Sequence, residues 1–478
     1  MVKRFTSTTF FSAFMLTVFA GNFVTKGDGT TYTLESLAQI EGSGVVYDTS
    51  TQAFTMRDTV TIATGDKFVY GDHVKRLLIT LPATKLIING EADFRSNAPT
   101  EIHYNDQAET GGESQTSTEI IIDNGDATTR FSNVDFRHVG ISARGQSAVE
   151  IDGCTFNAYN GTSGGAVYMA NSTGRLTVSN CIFQNNQKPA IGNSYGCQNI
   201  TLIENCQLFS NALNNANTPQ INLVASDSVT VRGCCIYGDE SLTMVGGIGV
   251  SNWTAAANRV VVFEDNIISG NRYGVTTLGP TNLIIRNNKL TDNNRETNAN
   301  NGGSGISIYD PYYRTAAKIS GNEITGNLWG VTIIGGGDIN LGKIEVEGSP
   351  LSESDEDYCA GNNVFNDNGN NGILYALYNN GTAIVYAQNN QWSDGEQTQE
   401  NIEDVIFHKN DDPSLGEVIF MPPMQADNIN TIEGRLSGNR QPNGVYNLRG
   451  IKVAETETAL PHGYYIVRKG GKTTKIVK

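Results

Sequence analysis

The chain is poor in charge, histidine and proline, and it has no long apolar run. Charged residues make up 17% of its 478 positions and hydrophobic residues 38%, both low for a globular enzyme. The five histidines are scattered at positions 73, 103, 138, 408 and 462, so a histidine-built metal centre is not expected. None of the seven cysteines stands in a C-x-x-C pair, which argues against a zinc ribbon. Their odd number argues against a complete disulfide framework. No stretch is as long as the ~18 apolar residues that a membrane-spanning helix needs. Strong helix formers are sparse, which disfavours helical bundles. Abundant instead are glycine, with 52 residues, and asparagine after residue 150. That mix reads as many short strands joined by turns.

The two ends differ from the body. Lys3 and Arg4 precede an apolar run, Phe10–Phe19, and Val18-Phe19-Ala20 suits a small-residue cleavage site. Residues 1–20 are therefore expected to be a secretory signal. Residues 431–478 carry nine Lys/Arg against three Glu, a net +6, and residues 1–430 carry −22. The acidic body disfavours nucleic acid and loosely held anionic polysaccharide as partners. The charge break near residue 430 marks a domain boundary.

Self-similarity is the strongest signal. Ten segments share the pattern (Asn/Gly/Asp)-x-x-apolar, beginning at Asn133, Gly153, Asn180, Asn205, Gly233, Asp265, Asn287, Gly321, Gly361 and Asn389. Their second positions read Val134, Cys154, Cys181, Cys206 and Cys234, then Asn266, Asn288, Asn322, Asn362 and Asn390. Like follows like, and the type changes once. In a parallel solenoid equivalent residues stack at ~4.8 Å, where asparagine amides bond from coil to coil and cysteines pack as the apolar counterpart. A buried thiol column is thus expected, with a bridge through Cys197 or Cys359 left open. After several motifs comes Asn/Gly-x-Gly-apolar, ending at Val275, Val331 and Ile373. Each coil then offers three short strands, and only stacking buries their apolar faces.

These residues resemble the right-handed parallel β-helix family, in its branch of secreted bacterial proteins with asparagine-rich coils. The resemblance implies an all-β chain: an N-terminal cap over 21–54 with a short helix near Leu34–Gln39, a three-stranded solenoid over 55–425 and a linker over 426–443. Residues 444–478 form a small β-sandwich-like module of three strands. That module resembles the C-terminal sorting domain of type IX secretion cargo in the Bacteroidetes, through Tyr446-x-Leu448-x-Gly450-x-x-Val453, Pro461-x-Gly463-x-Tyr465-x-Val467 and Lys475-x-x-Lys478. It implies passage through the type IX export machinery and a place outside the cell or on its outer surface. A small structural β-cap is the plainer reading.

The fold serves lyases, hydrolases, adhesins and spikes alike, so the site must decide. Lyases of the family use a base beside a charge-neutralising cation. Its pectin hydrolases use grouped aspartates with histidine and Arg-x-Lys. Neither set is found in the central coils. The best candidate cluster is Trp253, Tyr309, Tyr312 and Tyr313 as a sugar platform, whose ring faces pack on C–H groups. Beside it, Asp310 is a candidate acid or base and Arg314 a charge neutraliser. Packing of a loop around Pro311 is the plainer alternative. Asp135, Arg137 and His138 form a second small polar group. Calcium is the one cofactor that the acidic segments Asp123–Asp126 and Ser352–Tyr358 suggest, although neither has EF-hand spacing; a solvated loop is the default. Three functions stay open: non-catalytic contact with glycans or other macromolecules, a divergent polysaccharide lyase or glycoside hydrolase, and a structural stalk.

Overall fold

The computed structural model describes residues 21–80, 84–104, 116–224, 227–252 and 259–425. In the tail it describes 444–446, 452–454, 456, 464–469 and 472–477. The expected signal at 1–20, the linker 426–443 and Trp253 lie outside the described residues. So do Leu448, Gly450, Pro461, Gly463 and Lys478 of the tail motifs.

The chain winds as a right-handed parallel β-helix. Its first wall is a 14-stranded sheet running from Asn22–Val24 to Ile406–Phe407. The second and third walls are counted as one closed sheet, because strands such as Glu91–Tyr104 and Thr128–Arg137 pass through the corner between them. Within each wall, alternate residues face inward. In the first wall Ile221, Ile248, Val275, Ile306, Val331 and Leu377 pair in succession as one buried column. In the third wall the inward column runs from Phe54, Leu77 and Ile102 to Phe136, Phe156 and Phe183, whose rings stack at 4.6 and 4.9 Å. It ends with Phe365 on Trp392 at 5.0 Å. Burying each such ring contributes roughly 1.5–3 kcal/mol, gained only because a neighbouring coil covers it.

Both corners of the third wall follow one rule. The first corner is turned by a left-handed residue, for example Asn180, Asn205, Asp265 and Asn287, with φ of 54–57°. Five residues on, Asn185, Ser210, Gly270 and Asp292 turn the second. Asparagine, aspartate and glycine take this conformation at least cost. The residue after each left-handed one points inward and joins a ladder. At the first corner Cys206 N–H donates to Cys234 Sγ (3.4 Å), and Cys234 N–H to Asn266 Oδ1 (2.9 Å). The chain of bonds continues through Asn288, Asn322, Asn363 and Asn390 at 2.9–3.1 Å. Each amide also bonds the next, at 2.9–3.0 Å. The thiol column and the amide column are thus one ladder, with sulfur taking the acceptor's place. All seven cysteines are free, Cys197 and Cys359 included.

Two details of the sequence reading need correction. The rung after Asn322 is Asn363, not Asn362, and the inward residue is Phe365, not Val364. Gly361 and Asn362 both take left-handed φ (65° and 58°), so two overlapping motifs fit, and the bulkier phenylalanine takes the inside beneath Trp392. The second ladder runs through Asn271, Asn293, Asn327 and Asn368. Asn370 lies instead in a hairpin, Gly369–Asn370 against Ile373–Leu374. In the coil of Cys234 the rung position holds Asp239, which accepts from Ser210 Oγ instead (2.9 Å), and Gln220 bridges from Asn211 (2.9 Å) to Asn271 (3.0 Å). A Cβ at Gly238 would meet Gly270 O at 1.7 Å.

Winding starts earlier than 55. Asn22–Val24 and Thr31–Tyr32 already pair in parallel with the next coil, and strands of two or three residues leave no periodicity to read. A helix, Leu34–Ala38, closes this end with a Thr33/Ser36 capping box. At the other end the helix Gln399–Glu403 buries Ile402, and buried His408 accepts from Val418 N–H while facing Glu403 at 2.8 Å. The tail module shows four strands rather than three, in a single antiparallel sheet. Val445 and Val467 are buried against each other within it.

Candidate functional site

Outside the corner insertions, the outer faces of the walls are the surfaces where a large ligand would lie. Outward residues of the first wall form two columns near its C-terminal end. Thr276, Ser307, Thr332, Tyr378 and Phe407 pair strand to strand, as do Leu278, Tyr309, Ile334 and Asn380. At the start of the same strands stand Ser304 and Trp329, also paired.

The aromatic members touch. Trp329 lies 4.7 Å from the Tyr375 ring and 4.9 Å from Tyr378, and Tyr378 stacks on Phe407 at 4.7 Å with 10° between planes. All four are half-buried. Trp329 Nε1 donates to Ala299 O (2.9 Å), which fixes the indole against its corner. Burial pushes the Tyr378 hydroxyl above its ordinary pKa, with Tyr375 and Asp412 adding to the shift. Tyr378 is therefore a neutral hydroxyl at any physiological pH.

Tyr309, Tyr312, Tyr313 and Arg314 come together at the rim of this face. The three tyrosines are 40%, 58% and 48% exposed. The Arg314 guanidinium lies 5.7 Å from the Tyr312 ring centroid, a cation–π contact. With Tyr309 and Tyr378 two strands and two residues apart, their backbones are about 12 Å from each other. Asp310 is not beside them at the surface. It is fully buried, and its carboxylate accepts from the N–H groups of Tyr312 (2.9 Å), Arg314 (2.8 Å) and Thr315 (2.7 Å) and from Thr315 Oγ1 (2.8 Å). Read from sequence as an acid or base, it is the anchor that shapes the loop carrying the tyrosines. Its alternating position, one residue past outward Tyr309, turns it inward.

Trp329, Tyr375, Tyr378 and Phe407 were missed from sequence. The signal was partial: Tyr378, one residue after inward Leu377, is an outward place by alternation, whereas Trp329, two residues before inward Val331, alternates to the inside and reaches the outer face only because Gly330 and Val331 are buried in succession.

Other polar groups are structural. Asp135 and Arg137 flank inward Phe136 on the third wall, and His138 turns the corner with φ 56°. Glu119 is buried beneath residues 159–163. Burial would raise its pKa, but bonds from Tyr159 Oη (2.6 Å) and Ser163 N–H (3.0 Å), with the Lys85 ammonium at 3.7 Å, hold it below the ordinary carboxylate value. In the acidic insert, Asp357 pairs with Lys343 (2.9 Å) and Glu356 O accepts from Lys318. Among the described residues no group of three or more His, Cys, Asp or Glu is placed to hold a metal. No described helix is long and apolar enough to cross a membrane. A separate cleft of about 750 Å³ lies at the N-terminal cap, lined by Tyr47, Phe54 and the Glu35–His73 pair.

Residues 118–290 match the family model of the right handed beta helix region. No curated protein matches the chain. Among solved structures, the periplasmic alginate epimerase AlgG is similar, at 12% identity over 82% of this chain and 83% of that one, with a TM-score of 0.48. A double mutant of the same epimerase gives 0.49 over the same shares. Likeness at that level says nothing of activity. What the chain's own ladders and the family match establish is the fold, a right-handed parallel β-helix.

Proposed function

We propose that this is an exported β-helix protein that holds extracellular glycan chains against the outer face of its first wall without catalysis. The observation that carries the reading is the contact cluster of Trp329, Tyr375, Tyr378 and Phe407 on a flat wall, continued by exposed Tyr309, Tyr312 and Tyr313. Half-buried rings on a flat surface suit the C–H faces of sugars, and neighbouring Ser307, Thr332 and Asn380 supply hydroxyl and amide partners. Asp310 is fully buried and bonded to four donors of its own loop, which supports a holding role over a cleaving one. Trp253 belongs to the proposed platform on sequence grounds alone. The signal-like start and the basic tail support export, with the type IX machinery as the proposed route.

Affinity electrophoresis against a panel of polysaccharides tests this. Trp329→Ala or Tyr378→Ala is expected to weaken retention about five- to tenfold, the worth of roughly 1–1.4 kcal/mol for one aromatic contact. Assays for new reducing ends and for unsaturated products should stay silent. Turnover that disappears with Arg314→Ala would replace the binding reading with an enzymatic one.

A further inference from the structure

Resting on the glycan-contact reading, we infer that the first-wall face selects uncharged polysaccharide and rejects polyuronates. Neither outward column holds a charged side chain, over five strands from Thr276 to Phe407 and over four from Leu278 to Asn380. The cations that flank the face in the chain are held at its edges by local contacts. Arg272 Nε donates to Asn301 O (2.7 Å), Arg295 Nε to Gly270 O (3.0 Å), and Lys409 pairs with Glu417 (3.3 Å). Arg314 lies on the Tyr312 ring.

A polyuronate brings one carboxylate per sugar. Laid along the two columns, each carboxylate loses water against aromatic rings and meets no cation within them, a costly desolvation; the one cation at the rim, Arg314, reaches a single sugar at most. The approach is also uphill, because residues 1–430 carry a net −22. A neutral chain meets neither penalty. Its C–H faces cover Trp329 and Tyr378. Its hydroxyls meet half-buried Ser307 and Thr332, the latter held by buried Ser304 at 2.9 Å.

The test is affinity electrophoresis of the full chain in gels cast with neutral polymers (β-glucan, xylan, mannan) or with polyuronates (alginate, polygalacturonate), at about 50 and 300 mM salt, which spans the screening range. Retardation by at least one neutral polymer is expected at both salts, lost in Trp329→Ala/Tyr378→Ala, with no retardation by polyuronate. Ile334→Lys, which places a cation on the outward column at a position 37% exposed, is expected to create polyuronate binding at the lower salt only. Retention of the unaltered chain by polyuronate, or an Ile334→Lys protein still indifferent to it, overturns the inference and leaves the glycan-contact reading standing. Retention by no polymer, or binding to a protein ligand through the same rings, overturns the glycan-contact reading itself.

Discussion

Replacing Asn322 with alanine removes one rung from the middle of the inner ladder. The Asn322 side chain donates to Ile285 O (3.0 Å), Ser320 O (3.1 Å) and Asn363 Oδ1 (2.9 Å), and accepts from the backbone N–H and the side-chain amide of Asn288 (2.9 and 3.0 Å). In the variant the Asn288 N–H loses its acceptor and Ile285 O a donor, both inside the solenoid where water does not replace them. At roughly 1–3 kcal/mol for each orphaned group, the loss is about 2–6 kcal/mol. That is a large share of the 5–15 kcal/mol typical of folded domains. Asn322→Cys installs the group the same ladder uses at Cys234, which accepts a backbone N–H at 3.4 Å. It should recover roughly half of the loss, because sulfur accepts more weakly. Thr382→Ala, at an exposed position, is the control and should stay within about 0.5 kcal/mol. Urea unfolding followed by tryptophan emission measures the shift, and amide exchange at residue 288 localises it. If Asn322→Ala lies within about 1 kcal/mol of the unaltered protein, the ladder does not hold the coils together and the energetic reasoning fails.

Further outcomes are expected. The carboxyl of Glu119 titrates below its ordinary value in the folded chain, so the stability it contributes is present above the unfolded carboxylate pKa and is lost as pH falls through the lowered folded one. Acid unfolding monitored below about pH 4.5 should be less steep in Glu119→Gln, and an unchanged profile would refute the assignment. Burial pushes the Cys181 and Cys234 thiols up. A thiol reagent should therefore find at most the half-buried Cys235 in the native protein and all seven cysteines after denaturation; rapid labelling of four or more would contradict the buried column. Asp310→Ala should loosen residues 311–315, seen as faster proteolysis there, while Asp310→Asn keeps part of the order; a variant with unaltered proteolysis would refute the anchoring role.

Much of this fold was legible because a solenoid repeats its constraints. Asn287-Asn288 followed five residues later by Asp292-Asn293 states both corners of a third-wall strand, and Gly321-Asn322 with Gly326-Asn327 states them again. Legibility fails where the repeat is ambiguous or substituted. Gly361-Asn362-Asn363 offers two registers, and only the ring of Phe365 under Trp392 chooses between them. Gln220 replaces a missing amide from a different strand, which no local pattern announces. The aromatic face escaped for another reason: Trp329 and Tyr378 are 49 residues apart in the sequence and meet only because two coils with long insertions still stack in register.

The switch in the ladder from sulfur to amide between Cys234 and Asn266 divides the rod mechanically. Toward the N-terminus the parallel backbone bonds between coils are supplemented at the first corner by weak thiol contacts and stacked phenylalanines. Toward the C-terminus the coils are stitched by directional bonds that resist shear. A pull along the axis should therefore peel the thiol half first and leave the segment bearing the aromatic rings wound.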